Sequence, residues 1–238
     1  MLRRFANQRA APYRYHVAET VPLFPLGTVL LPGASLPLHI FEPRYRQLTV
    51  DLVTGAVPGR SFGVIAVKQG LETVEETHTI GCTALLREAR RLPDGRFDIV
   101  TRGERRFRLL DVDNTSAPYL VGTIEWVPDD DPPAEQSMLV PALAAAARDA
   151  HRQYCWAAWQ HGDWEEPSED VDIATLAHLL AADCLLTLED RQAVLEECDP
   201  VDRLRLVRNL LVREAAFLRT LRAVPVPLNQ YAERASQN

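Results

Sequence analysis

The sequence predicts an α+β fold with strands first and helices second, and three observations carry that prediction. Before residue 128, short runs rich in β-branched and aromatic residues alternate with Gly and Pro breaks. After residue 136, apolar residues recur at helical spacing. Between them stands Asp129-Asp130-Asp131-Pro132-Pro133, a charged, helix-breaking run of the kind that joins domains. The chain has 238 residues, 47% of them hydrophobic and 25% charged, enough apolar material for two modest cores or one large one. The expected division is a basic arm over 1–16, a strand domain over 17–128, a linker over 129–133, a helical domain over 134–223 and a tail over 224–238.

In the first half, strands are expected over 29–31, 35–40, 62–67, 79–87, 97–102, 106–112 and 119–127. Asp94-Gly95 between apolar flanks predicts a hairpin with a two-residue turn, because such turns need the positive φ that Gly and Asp tolerate. One helix interrupts the strands, over Pro43–Thr54. Pro43 suits its first turn, Tyr45, Leu48, Leu52 and Val53 share a face, and Gly55 can end it in a left-handed conformation.

The second half reads as helices. Residues 137–160 carry Leu139, Leu143, Ala147 and Tyr154 in register, with Pro141 near the start of the uninterrupted helix. A break over 161–170 precedes a further apolar face at Ile173, Leu176, Ala177 and Leu180. Thr187 and Asp190 form a capping signal, and Asp199-Pro200 opens the longest helix. There Leu204, Val207, Leu211, Ala215 and Leu218 make one stripe and Leu206, Leu210, Phe217 and Leu221 a second, so two faces are expected to be covered.

Charge and cysteine usage narrow the function. A net charge of −7 and a pI near 5.4 argue against a general polyanion-binding surface, although a local basic patch stays open. Cys82, Cys155, Cys184 and Cys198 are widely spaced and form no C-x-x-C pair, which argues against structural zinc. With no secretory h-region and no apolar run of membrane-spanning length, a cytoplasmic protein with reduced thiols is expected. Arg3, Arg4, Arg9 and Arg14, without an acidic residue among them, suit either a solvated arm or a transit segment.

Two blocks resemble one family. Residues 22–48, PLFPLGTVLLPGASLPLHIFEPRYRQL, and residues 92–110, LPDGRFDIVTRGERRFRLL, are similar in pattern and order to the amino-terminal domain of Lon-type ATP-dependent proteases. LEDRQAVLE and the D-P-x-x-R-L opening at Asp199 follow the family's stand-alone relatives. The resemblance covers about residues 17–222 and implies a PUA-like β-barrel followed by a helical bundle. It also implies recognition of protein segments, with unfolded or tagged polypeptides and a separate protease as partners, and no cofactor. A PUA-like barrel makes RNA binding the alternative.

Catalytic signatures of the full protease are not found in this sequence. It has no G-x-x-x-x-G-K-[ST] phosphate loop, and Lys68, its one lysine, follows Ile65-Ala66-Val67 instead of a Gly-rich turn. A Ser–Lys dyad would have to pair Ser61 with Lys68, and neither G-x-S-x-G nor S-x-x-K occurs, so no enzyme activity is expected. His151 and Cys155 share a helix face near His161, but a partly buried Cys beside a surface His reads better than a metal edge. Glu72, Glu75, Glu76 and His78 read as a solvated loop, and 129–131 lacks the Gly and Glu of a calcium loop.

Two places can carry peptide binding. Phe41, Glu42, Arg44 and Tyr45 combine aromatic rings with both charges where a strand hands over to a helix, and Arg44 could clamp a carboxylate. The competing reading packs Phe41 and Tyr45 inward and pairs Glu42 with Arg46. The second place is the basic stripe Arg102, Arg105, Arg106 and Arg108, open to an acidic protein, a peptide or RNA. Trp156, Trp159 and Trp164 add apolar surface that suits either a core or a partner patch.

Overall fold

A computed structural model of the chain describes residues 18–67, 77–131, 138–159 and 164–221. The basic arm, Lys68, the Glu72/Glu75/Glu76 group, Pro132-Pro133, His161 and the tail lie outside the described residues.

Strands β1 (Glu19–Leu26), β2 (Ser35–Ile40), β3 (Ser61–Ala66), β4 (Ile80–Arg91), β5 (Phe97–Asp113) and β6 (Val121–Trp126) form a 6-stranded sheet in the order β2-β5-β4-β3-β1-β6. β1 and β3 run parallel, and the other pairs are antiparallel. β5 also pairs with β6, so the ladders close a circuit through β4, β3, β1 and β6. The 17-residue length of β5 makes that possible: Phe97 to Arg102 ladders with β2, and Phe107 to Asp113 with β6.

β5 replaces the two shorter strands expected on either side of Gly103. Register shifts between Cys82 and Ala84 on β4 and between Leu109 and Asp111 on β5 absorb its bending. Gly103 itself serves close approach: a Cβ there would stand 2.2 Å from the Leu31 carbonyl oxygen. That contact explains why residues 29–31 are not the strand expected. Val29, Leu30 and Leu31 are buried in an irregular path that β5 holds through Gly33 N–H to Gly103 O (2.8 Å) and Gly103 N–H to Ala34 O (2.9 Å).

β1 is a strand despite Pro22 and Pro25. Its first half, Glu19 to Pro22, ladders with β6 and its second, Leu23 to Leu26, with β3, so a proline nitrogen can face the side where no ladder forms. The β4–β5 hairpin is also longer than expected. Leu92 N–H bonds Arg96 O (2.8 Å) and Gly95 N–H bonds Leu92 O (3.0 Å), enclosing Pro93-Asp94-Gly95 with Gly95 at φ 84. A three-residue loop with glycine in the left-handed region is the result.

Helix α1 (Pro43–Thr54) has the expected bounds, with Gly55 closing it at φ 82. It buries Tyr45, Leu48, Thr49 and Leu52, while Val53 lies half exposed on the solvent side. In the second half, α2 (Val140–Ala158), α3 (Ile173–Ala182), α4 (Leu188–Glu196) and α5 (Pro200–Leu221) follow the expected order. Asp172 caps α3 by accepting from Thr175 N–H, and Thr187 caps α4 by accepting from Asp190 N–H. Asp199 Oδ1 accepts from Val201 N–H at 2.7 Å at the start of α5. On α5 the stripe Leu204, Val207, Leu211 and Ala215 is fully buried, but Phe217 of the second stripe is exposed, so that face is only partly covered.

Two apolar clusters result. Leu23, Ile65, Phe107 and Ile124, each from a different strand of the circuit, meet in a small one. A larger cluster runs without a break from Phe24, Phe62 and Leu48 to Tyr154, Leu180 and Leu211, so strands and helices share one core.

Candidate functional site

Where strands meet helices, Asp129 of the expected linker is exposed, yet its carboxylate is held by two arginines. The Arg106 Nη2 donates to its Oδ1 at 2.6 Å, and Arg203 Nη2 donates to the same oxygen. Both guanidinium groups are buried, Arg203 completely, and each also donates to carbonyl oxygens. Arg106 reaches Leu195 O (2.9 Å), Glu197 O (2.7 Å) and Pro128 O (3.1 Å); Arg203 reaches Ala174 O (2.9 Å) and Glu197 O (2.8 Å). Such a network fastens β5 to α3, α4 and α5, and full satisfaction is what makes buried charge tolerable. Arg106 is thereby withdrawn from the expected basic stripe. The pleat is the reason, since successive strand side chains point to opposite faces.

Its neighbour Arg105 points outward and lies over the Trp126 ring at 3.8 Å from the centroid. Trp126 Nε1 donates to Glu19 Oε1 at 2.8 Å, which holds the ring at its edge. Arg102 and Arg108 are also exposed, Arg108 beside Glu125 at 3.4 Å.

Trp126 separates two cavities. One, of about 370 Å³, is lined by Pro32, Arg105, Trp126, Pro128, Ala174 and His178, among others. The other, of about 380 Å³, is lined by Pro22, Val57, Pro58, Tyr119, Val121 and Trp126, among others. Tyr119 O–H donates to Asp51 Oδ2 at 2.9 Å, and burial together with that carboxylate pushes the phenol up to about 12. In the first cavity His178 is only 3% exposed, and its Nδ1 has no hydrogen-bond partner. Burial, reinforced by the charges of Arg203 and Arg106, holds this imidazole neutral, well below its ordinary range.

The corner after β2 is arranged differently. Tyr45 is buried and stacks on Phe24, ring centroids 3.8 Å apart, and burial raises its phenol. Phe41 stays 62% exposed. Glu42 pairs with Arg44, not Arg46: Arg44 Nε donates to Glu42 Oε2 at 2.9 Å, and its guanidinium also covers the Tyr45 ring. None of these four residues lines either Trp126 cavity.

Comparison with known proteins places this geometry. Residues 20–213 match the ATP-dependent protease La (LON) substrate-binding domain. The chain belongs to that family. It is 27% identical over 212 residues to Lon protease 2 of Myxococcus xanthus and 31% identical over 202 residues to Lon protease 1 of Thermus thermophilus. These alignments cover 85% and 82% of this chain but only 24% of each relative, so the chain spans about a quarter of their length. Among solved structures, a Lon N-terminal domain protein from Xanthomonas campestris is similar with a TM-score of 0.55 and 27% identity over 79% of this chain and 95% of that one. The N-terminal domain of Mycobacterium avium complex Lon protease shares the fold, with a TM-score of 0.59 and 20% identity, over 81% of this chain and 98% of that one.

The remaining candidates in this Lon substrate-binding domain lie outside both cavities or make local contacts. Cys155 Sγ lies 3.5 Å from His151 Nε2, but both residues are buried, not one as expected, and burial pushes the thiol up to about 12. No group of His, Cys, Asp and Glu among the described residues is arranged to hold a metal ion. Ser61 donates to Ala84 O, and His78 stands 3.9 Å from Glu196. Trp156 is exposed and meets the half-buried Trp164 edge-on at 6.3 Å, while Trp159 packs on the core. No helix among the described residues is long and apolar enough to cross a membrane.

Sequence reasoning missed Trp126, His178 and the Asp129–Arg203 pair. His178 carries one readable signal, a polar residue beside Leu176, Ala177 and Leu180 on a helix whose polar face is short. Asp129 and Arg203 lie 74 positions apart, and no local pattern connects them.

Proposed function

We propose that this domain is a non-catalytic recognition module for extended segments of unfolded or tagged polypeptides, working in the cytoplasm as an adaptor beside a separate protease. The family match over residues 20–213 carries the reading. The two cavities sharing Trp126 support it, because prolines, valines and aromatic rings with a few polar groups between them suit an extended chain. The closed circuit of strand pairings supports the PUA-like barrel as its scaffold. Phe41, exposed at the end of β2, is a secondary apolar contact, with Glu42 and Arg44 at its side. RNA is the weaker ligand here: Arg106 is buried, Arg108 has a carboxylate neighbour, and Arg105 covers the Trp126 face that a base would use.

Fluorescence anisotropy with a labelled, reduced and carboxymethylated protein, its native form and a mixed RNA pool tests this. Binding of the unfolded form alone, with modest salt dependence, is expected, and Trp126→Ala should weaken it more than Phe41→Ala. Steeply salt-dependent RNA binding without binding of the unfolded protein would replace the reading.

A further inference from the structure

Within the polypeptide-binding reading, we infer that the cavity between Arg105 and His178 receives the free C-terminal carboxylate of a bound chain, with its last side chain against Pro32, Trp126 and Pro128. Three features of the cavity point to that ligand.

The first is Arg105. Its guanidinium carbon lies over the Trp126 ring, which in turn is hydrogen-bonded to Glu19, and among the described residues it makes no ion pair. A stacked guanidinium loses little freedom when a carboxylate takes its edge in a paired geometry. The second is His178, buried and lining the same cavity with Nδ1 unpartnered. Buried polar atoms without a partner are rare enough to need a reason, and a ligand group at this position supplies one. The third is how the charges of the lining are committed. Arg106 is taken up by Asp129 and by carbonyl oxygens, whereas Arg105 has no ion pair among the described residues, so Arg105 is the guanidinium left for an incoming anion.

Size agrees with a chain end. About 370 Å³ suits the last residue or two of a polypeptide, and the second cavity, whose lining also includes Trp126, offers room for the preceding residues. Glu104 stands as a potential acceptor for the N–H groups of the chain end and at the same time penalises a second negative charge.

The experiment compares a short fluorescein-labelled peptide ending Leu-Val as the free acid and as the carboxamide. Wild-type protein should bind the acid roughly ten- to a hundredfold more tightly, the range expected for a charge-assisted contact. Arg105→Gln should erase that preference while the melting temperature stays unchanged. Glu104→Gln should strengthen binding of the acid, a gain that damage to the fold cannot imitate. Equal affinity for acid and amide, an acid preference that survives Arg105→Gln, or no peptide binding by a protein that still captures the carboxymethylated chain each overturn the inference and leave the polypeptide reading standing. If neither the peptides nor the carboxymethylated chain bind, the polypeptide reading falls and the inference falls with it.

Discussion

Arg105 and Arg106 are adjacent in the chain, yet they serve two regions of opposite character. Behind the strand, Arg106, Asp129 and Arg203 form a clasp in which every cation finds a carboxylate or a carbonyl oxygen. Beside it, Arg105, Trp126 and His178 border a cavity that Arg106 and Asp129 also line, and there the Arg105 guanidinium has no ion pair among the described residues and an imidazole nitrogen has no partner. A saturated network holds elements together and has nothing left for a ligand. An unsaturated one contributes little to the fold and keeps donors available.

The largest effect that contrast predicts is on stability at the clasp. Arg203→Ala leaves the Asp129 carboxylate with one cation and removes a fully buried guanidinium together with its bonds to the Ala174 and Glu197 carbonyls, and should cost about 3–5 kcal/mol by urea unfolding. A loss under about 1 kcal/mol would mean the clasp is a surface pair in solution. Next comes Gly103→Ala, which sets a methyl group against the Leu31 carbonyl and should cost about 1–3 kcal/mol. Because Pro32 adjoins that contact and lines the cavity, the same variant should also weaken peptide binding if the cavity is the site.

A smaller effect concerns pH. An unfolded chain protonates His178 around its ordinary value of 6.5, whereas the folded protein holds it well below that, through burial first and then Arg203 and Arg106. The unfolded state therefore binds more protons in that window. Stability should be full above about 6.5 and fall as pH drops toward the folded value, and His178→Leu should flatten the slope of urea midpoint against pH. His151, also lowered by burial, leaves a residual slope of the same sign. The smallest effect is that of Arg105→Gln, exposed and outside the clasp, which should change stability by no more than about 0.5 kcal/mol.

How much of this was legible varies by element. Helix α1 could be read to the residue, because Pro43 and Gly55 punctuate it and its apolar spacing lies between them. Caps at Thr187 and Asp199 were legible for the same reason. β1 was not, since Pro22 and Pro25 argue against a strand and only its division between two neighbours makes them acceptable. Residues 29–31 failed in the other direction: three apolar residues suit a strand, but they are buried by packing under Gly103 without a ladder. Of the candidate binding residues, the sequence distinguished neither Arg105 from Arg106 nor Phe41 from Tyr45.

By itself, then, the sequence determined the order of strands and helices, most helix ends and the family, because propensity, capping and turn chemistry act within a few residues. Tertiary structure alone decided that a triple-Asp run holds a clasp, that one arginine of a pair faces water, and that Trp126 and His178 share a cavity. Each of those depends on which distant side chain arrives opposite. Arg203 reaches Asp129 from 74 positions away, and the burial that makes their pairing matter exists only after the halves have packed together.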